Sequence, residues 1–538
     1  MKKVGRAVCG ALACTLLVTG FTACKKSSKG NSGDKWKAAD GVTVDWFINM
    51  SQWDSSPDLW NTAEVLKEVV EKTGVKPNVT IPTGSGLEKV NLMMATGDMP
   101  DMMTFQSSEQ QIDQMVKNNA IYPLEELINK YCPEMKSEIP DSVWTYGAQP
   151  IDGVLYGLPS WLKADWQIEE KNDLNTCTFL VRSDIYEELG EPDMSTPDGF
   201  YNALVKFKEK YPEINGKKTI PLCLYPQFWS AGYLQKAFGI HDFYIDENDN
   251  YYEYWKDPKY EEFLKYMVKL NKAGLTDPEA FVKKQDQVEE DLSQGLSFVV
   301  LWKFDGLTSV NKALQKSYPN VRYKAIEPMN AYGQKTCLTD VQRKGWTTTF
   351  IPRGSKHPEE CLKFMRYMWS PEGNRLMDYG KEGRDWVRID DHTIQQTDEH
   401  AKRSKEENFT NETGIFSYRL FHYQYDKVLP APNVEQTVED REDRPLANES
   451  ASTDYMYLSL MRSIDPNSDE GVIQTQANTV IEKARAKFLT AKDENTAISE
   501  YRKMIDDVYA LGYDKVDKIK SEYHKEAKAR QVELDSKK

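Results

Sequence analysis

The spacing of apolar positions changes period several times along the chain. Val42, Val44, Trp46, Phe47 and Ile48 form a β-branched and aromatic run without helical spacing, which predicts a buried strand over 42–48. Leu59, Ala63, Leu66, Val69 and Val70 recur at helical spacing and predict a helix over 59–72, stopped by Gly74. A short strand over 77–81 follows. Leu87, Val90 and Met94 then mark a helix over 87–96 that Gly97 ends, and Asp101 to Phe105 reads as a third strand. This β-α-β-α-β order predicts a mostly parallel sheet covered by helices. Ligands of such sheets sit beyond the carboxyl ends of the strands, which puts the loop after Met50 and the loop starting at Gln106 near any site.

Later segments repeat the style. Thr178 to Val181 and Ser297 to Trp302 read as strands, and Pro197 to Tyr211 as an amphipathic helix. Pro358 to Met368 is a helix opening on Pro and Glu, both favourable at its positive end. From Gly471 onwards the pattern is helix after helix, with Ile498, Tyr501, Ile505, Val508 and Tyr509 on one stripe. The charged residues beyond about Ala527 are expected to fray. There is no internal repeat.

The first residues read as an address. Lys2, Lys3 and Arg6 precede an uncharged stretch from Ala7 to Ala23, too short to span a bilayer but right for a signal peptide over 1–23. The stretch ends in Phe21-Thr22-Ala23-Cys24, which resembles a bacterial lipobox, with Cys24 as the lipidated residue and Phe21 in place of the usual Leu. Residues 24–40 then form a flexible tether rich in Ser, Gly and Lys. Two or more acyl chains such as palmitate, at about 0.8 kcal/mol per buried CH₂, would hold the protein on a membrane. The expected location is the extracellular face of the bacterial cytoplasmic membrane.

Composition narrows the class. A chain of 538 residues with 40% hydrophobic content has material for a large core. The net charge is −15, and −18 once Lys2, Lys3 and Arg6 leave with the leader. Such a surface repels phosphate backbones, so nucleic-acid binding is excluded. After Cys24, the mature chain holds Cys132, Cys177, Cys223, Cys337 and Cys361, an odd and widely spaced set that reads as small buried hydrophobes. Six histidines are dispersed without a His-Glu-x-x-His. Asp246 to Asn250 lacks the glycine of a calcium loop and reads as a hairpin turn. No phosphate-binding loop or nucleophile elbow is present, and no catalytic residue, cofactor or metal site is assigned.

Several motifs then occur in one order. Gly97-Asp98-Met99-Pro100-Asp101, Pro123-Leu124-Glu125-Glu126-Leu127 and Asp152-Gly153-Val154-Leu155-Tyr156-Gly157-Leu158-Pro159 come first. Arg182 to Gly190, Lys272 to Glu279, Ser370-Pro371-Glu372-Gly373, Gly380 to Trp386 and Ala486 to Thr490 follow. This series resembles the extracellular solute-binding lipoproteins of ABC importers, family 1, of the LipO/LplA type. The resemblance implies a periplasmic-binding-protein-like type II α/β fold, with two lobes, hinge crossovers and an extended helical C-terminal region. Lobe one would comprise 41–157 and 338–425, and lobe two 158–337 and 426–538 with the C-terminal helices. It also implies a non-catalytic monomer that captures a carbohydrate, an oligosaccharide above all, and delivers it to the permease subunits. A peptide or other small solute, and a lipid-anchored glycoside hydrolase, are the alternative readings.

Thirteen Trp suit sugar recognition, because an indole covers the apolar face of a pyranose while polar side chains satisfy its hydroxyls. In expected interlobe loops the candidates are Trp53, Trp161, Trp229, Trp302 and Trp386, with Asp54, Gln106, Asp305 and Arg384 as polar partners. Trp46, Trp60 and Trp369 lie in regular elements and read as core.

Overall fold

The run Val42–Ile48 is the second strand of a five-stranded sheet ordered Val75–Thr80, Val42–Ile48, Met102–Gln106, Thr347–Phe350, Gly157–Ser160. The first three strands are parallel, and Thr347–Phe350 runs antiparallel to both of its neighbours. The structure is a computed structural model that describes residues 41–537, apart from 51, 52, 54, 84, 85, 226–229 and 436. The leader, Cys24 and the tether lie outside the described residues.

Val42–Asp45 alternates apolar and polar, with Thr43 and Asp45 exposed, whereas the unbroken apolar run Trp46–Ile48 has a direct cause. Successive side chains point to opposite faces of a strand, and both faces are covered here. Trp46 and Ile48 enter a core with Leu66, Phe364 and Tyr418, while Phe47 joins Val90, Met103, Phe105 and Phe350 on the other side. The Trp46 indole N–H is satisfied inside, donating to Thr104 Oγ1 at 2.8 Å. Trp60 and Trp369 are buried in the same core, as the sequence predicts.

A four-stranded sheet ordered Tyr323–Ile326, Cys177–Arg182, Ser297–Lys303, Ile220–Cys223 organises the second lobe. It too is buried on both faces, with Phe179, Val181, Val299 and Leu301 on one side and Leu180, Val300 and Tyr323 on the other. The chain crosses between the sheets through residues 161–176, which join Gly157–Ser160 to Cys177–Arg182. It returns through 327–346, which lead from Tyr323–Ile326 into Thr347–Phe350. A later passage ends where buried Asp443 accepts a hydrogen bond from Arg322 at 2.6 Å. The α/β class, the two lobes and the helical C-terminal region follow the sequence expectation.

Local signals hold well. Gly74 and Gly97 both take left-handed φ, 71° and 72°, and end their helices there. The helix expected over 59–72 is two pieces, Leu59–Thr62 and Glu64–Thr73, because Ala63 is extended at ψ 142°. The Asp246 turn joins strands Phe243–Ile245 and Tyr251–Glu253, and its carboxylate accepts from the Asn248 and Asn250 amides at 2.9 Å. All five described cysteines are free thiols. No helix among the described residues is long and apolar enough to cross a membrane.

The C-terminus departs from expectation. The last helix, Asp514–Asp535, does not fray after Ala527. Val516 sits in the second lobe's core and Ala527 in the first lobe's, with Leu534 against that same core. Tyr146 Oη donates to Gln531 Oε1 at 2.9 Å. Charge in the sequence concealed this because only one narrow stripe of the helix is apolar. Removing residues 527–537 should lower unfolding stability by about 2 kcal/mol through lost burial and the lost hydrogen bond. The shift is read as the urea midpoint, and a frayed tail would leave that midpoint unchanged.

Candidate functional site

The first sheet gathers its candidates at one end. Thr347 is in register with both Gln106 and Ser160, so these three residues form a row across the sheet. The row lies at the carboxyl end of Met102–Gln106, the end at which open α/β sheets place ligands. Trp161 follows Ser160 directly, Trp346 precedes Thr347 directly, and Trp53 lies just past the carboxyl end of Val42–Ile48. In the second sheet Trp302 pairs with Thr178, and Tyr225 follows the parallel strand Ile220–Cys223. The crossover 161–176 ties these two sheet ends together.

Trp161 has φ 60°, a left-handed backbone in a bulky residue. Its amide donates to the His422 carbonyl at 2.7 Å. Its ring lies 4.1 Å from the His422 imidazole and 4.3 Å from the Arg419 guanidinium. Beneath them, buried Asp378 accepts from His422 Nδ1 at 2.5 Å and from Arg419 Nε at 2.8 Å. Burial alone would raise the Asp378 carboxyl, but Arg419 and His422 hold it below its ordinary value. Burial pushes His422 the other way, below the ordinary histidine value, against the pull of Asp378. The assignment consistent with both is an ionised Asp378 balanced by Arg419, with a neutral imidazole donating its Nδ1–H.

Three indole donors are left over among the described residues, one of them Trp60 Nε1 inside the first core and the other two at the sheet end. The Nε1 atoms of Trp53 and Trp161 are buried and find no acceptor among the described residues. Buried polar groups are ordinarily satisfied, so each such orphan calls for a partner. The Trp53 ring stands 6.1 Å from Trp346 and 6.2 Å from Tyr418. Trp346 keeps 43% of its surface exposed. Gln106 is half-buried, its backbone N–H donating to Glu109 Oε1 at 3.1 Å.

Across the crossover, Trp302 stacks on Tyr225 at 4.1 Å with the rings 14° apart. The Tyr225 hydroxyl donates to Glu289 at 2.5 Å. Asp305 is exposed to water, yet desolvation by its surroundings pushes its carboxyl up while Lys303 and Arg444 pull it down. Lys163 donates to the Asp173 carbonyl, and burial lowers its ammonium despite Asp173 and Asp305 nearby. Arg444 donates to Asp173 at 2.6 Å and lies over Phe304.

Trp53, Gln106, Trp161, Trp302 and Asp305 thus stand at the two joined sheet ends. Asp54 and Trp229 lie outside the described residues. Arg384 and Trp386 are engaged away from these sheet ends. Arg384 is spent on Glu64 and Asp385, the guanidinium donating to both carboxylates. Trp386 is only 4% exposed, clusters with Tyr379 and Ile394, and donates to the Gly380 carbonyl at 2.9 Å. A side chain so enclosed offers a solute no surface. Sequence reasoning missed Trp346, whose signal is its place immediately before a strand at the end of a crossover. It also missed the Asp378–His422–Arg419 support, whose members carry no local signal.

Comparison with known proteins places this geometry in a family. The family model described as "Bacterial extracellular solute-binding protein" matches residues 64–380. Lipoprotein LipO of Bacillus subtilis is 24% identical over 379 residues, 68% of this chain and 70% of that protein. The fructooligosaccharide ABC transporter substrate-binding protein FusA of Streptococcus pneumoniae is 27% identical over 269 residues, about half of each chain. Among solved structures, FusA in complex with kestose covers 91% of this chain and all of that chain with a TM-score of 0.66 at 17% identity. The alginate-binding protein AlgQ2 aligns over 91% and 99% of the two chains with a TM-score of 0.64 at 20% identity. FusA and AlgQ2 are described as binding proteins. With more than half its length matched by that family model, the chain belongs to the bacterial extracellular solute-binding protein family.

Proposed function

We propose that the protein captures an oligosaccharide between its two lobes and delivers it, chemically intact, to the permease of an ABC importer, while tethered to the membrane through a lipidated Cys24. The single observation that carries the ligand class is the pair of orphaned indole donors, Trp53 Nε1 and Trp161 Nε1, at the carboxyl end of the first sheet. Sugar hydroxyls are the acceptors such donors lack, and Trp302 opposite supplies an apolar ring for a C–H face. FusA, described with kestose and as a fructooligosaccharide-binding protein, lends the same direction.

The proposed contacts are Trp53, Gln106, Trp161, Trp302 and Asp305, with Trp346 added and with Arg384 and Trp386 set aside. Asp54 and Trp229 stay as contacts proposed from sequence. Capture works by differential binding: a solute touching both sheet ends favours the closed arrangement over the open one. A micromolar complex needs about 8 kcal/mol, within reach of two indole hydrogen bonds, a stacked ring and the burial they bring.

Calorimetry with kestose and with manno-, xylo-, gluco- and galacto-oligosaccharides tests the reading. Trp161→Phe keeps the ring and removes the donor, so affinity for the best sugar should fall about tenfold. Trp302→Ala should cost more, from about tenfold to a hundredfold. Unchanged affinity in Trp53→Phe, Trp161→Phe and Trp302→Ala would move the site elsewhere. Recovery of shortened sugar after incubation would make the chain a hydrolase.

A second test concerns the support of Trp161. His422 has a folded pKa below its unfolded one, so the unfolded chain takes up a proton first as the pH falls. The stability this gives is fully present above about pH 6.5 and is lost progressively below it. His422→Gln lacks that component. The difference in urea midpoint between the parent and the variant should therefore narrow between pH 7.5 and pH 5.5.

A further inference from the structure

One cluster outside the ligand contacts brings together residues that the sequence keeps far apart. His241 follows the helix Ala231–Lys236 in the second lobe. Cys337 and Asp340 lie on the crossover 327–346, where Thr339–Asp340 pairs with Ala451–Ser452. One ligating atom from each of the three lies within 4.8 Å of the others. His241 Nδ1 is 3.0 and 2.9 Å from the two Asp340 oxygens, and Cys337 Sγ is 3.7 Å from Asp340 Oδ1.

These separations can be set against a tetrahedral zinc site. Metal–nitrogen and metal–oxygen bonds of about 2.0 Å with a metal–sulfur bond of about 2.3 Å place N and O about 3.3 Å apart and S and O about 3.5 Å apart. The N–O and S–O pairs differ from those values by a few tenths of an ångström, within the reach of small side-chain rotations, and the His241 and Cys337 atoms lie within 4.8 Å of each other. We propose that His241, Cys337 and Asp340 form a binding site for a divalent transition-metal cation of the zinc class, with the fourth position left to water.

The donor set decides the class of ion. An imidazole and a thiolate suit zinc and its neighbours, whereas calcium and magnesium take oxygen ligands. Charge balances: on binding, the Cys337 thiol releases its proton to solvent, and thiolate and carboxylate together neutralise a 2+ ion. The nearby cation, Lys236, is engaged by Asp242 at 2.7 Å and by the Leu338 carbonyl at 3.2 Å. Lys335, farther along the crossover, is paired with Glu449 at 3.0 Å. The His241 ring is oriented by Phe243 at 5.4 Å and Tyr455 at 5.1 Å. Access is open, since His241 and Cys337 both line a surface cavity with Thr336 and Ser450. Cys337 is also the one described thiol that is not buried. A bound ion would fasten the crossover to the second lobe, whatever solute occupies the cleft.

The test uses the purified protein, free of affinity tags, stripped with chelator and titrated with zinc chloride or cobalt chloride. One ion per chain is expected by elemental analysis. Cobalt should give the near-ultraviolet thiolate-to-metal band and the strong visible bands of four-coordination, and Cys337→Ser should lose the near-ultraviolet band. His241→Ala should weaken zinc binding by at least about tenfold. In the unmutated chain, zinc should protect Cys337 from iodoacetamide, a readout that requires no variant to fold. Substoichiometric uptake, a cobalt spectrum without the thiolate band, or Cys337 alkylation unaffected by zinc would each overturn the proposal.

Discussion

Trp161 is held in a backbone conformation that a bulky side chain avoids, at the point where the first sheet hands the chain to the crossover. A non-glycine residue at positive φ costs about 1 kcal/mol or more. The compensation is local and specific. The amide is satisfied by the His422 carbonyl, and the ring is held by His422 and Arg419. Those two are anchored in turn by one buried carboxylate, Asp378. The direction in which the chain leaves Ser160, and hence the path of the crossover, depends on this arrangement. So does the position of one orphaned donor, so that under the proposed reading the Asp378 carboxylate serves the fold and the site alike.

Two sheets buried on both faces give each lobe its own core, and that separation bears on motion. A change of angle between the lobes need not open either core, because it is absorbed in the crossovers 161–176 and 327–346. The last helix limits the freedom this leaves. With Val516 in one core and Ala527 in the other, a rigid rod spans both. Rotations about an axis near that rod keep both ends seated, whereas translations that part the lobes would unseat one of them. The proposed metal site lies on the same crossover as Thr339–Asp340, so an ion there would act on the hinge rather than on either core.

Much of the fold was legible because its causes are local. Gly74 and Gly97 end helices through a conformation that their own residue type favours, and Trp46, Trp60 and Trp369 are buried because their elements are apolar around them. The parallel order of the first three strands follows from the helices between them, and the carboxyl-end rule then located Gln106 and the loop carrying Trp53. What was not legible depends on partners distant in sequence. Arg384 is neutralised by Glu64 from a distant element. Trp386 differs, since Tyr379 and Ile394, which enclose it, lie within eight residues of it. The charged residues after Ala527 look like a tail until Tyr146 and the first core are set beside them. His241 and Asp340 are 99 residues apart, so no spacing rule could join them.

The charges around the cleft bear on which solutes the proposed reading admits. Lys163, Lys303 and Arg444 stand against Asp173, Asp305 and Asp440, a nominal balance of charge in a chain of net charge −15. Burial lowers the Lys163 ammonium and raises the Asp305 carboxyl, so both shifts move these groups toward their neutral forms. Arg444 and Asp173 neutralise one another through their hydrogen bond. A gap lined this way has no strong field for an anion to follow, and water expelled on closure would deepen the penalty for an unpaired charge. A neutral polyol meets neither obstacle. It can exchange hydrogen bonds with both the ionised and the neutral forms of these groups, which favours an uncharged oligosaccharide over a phosphorylated or uronic one.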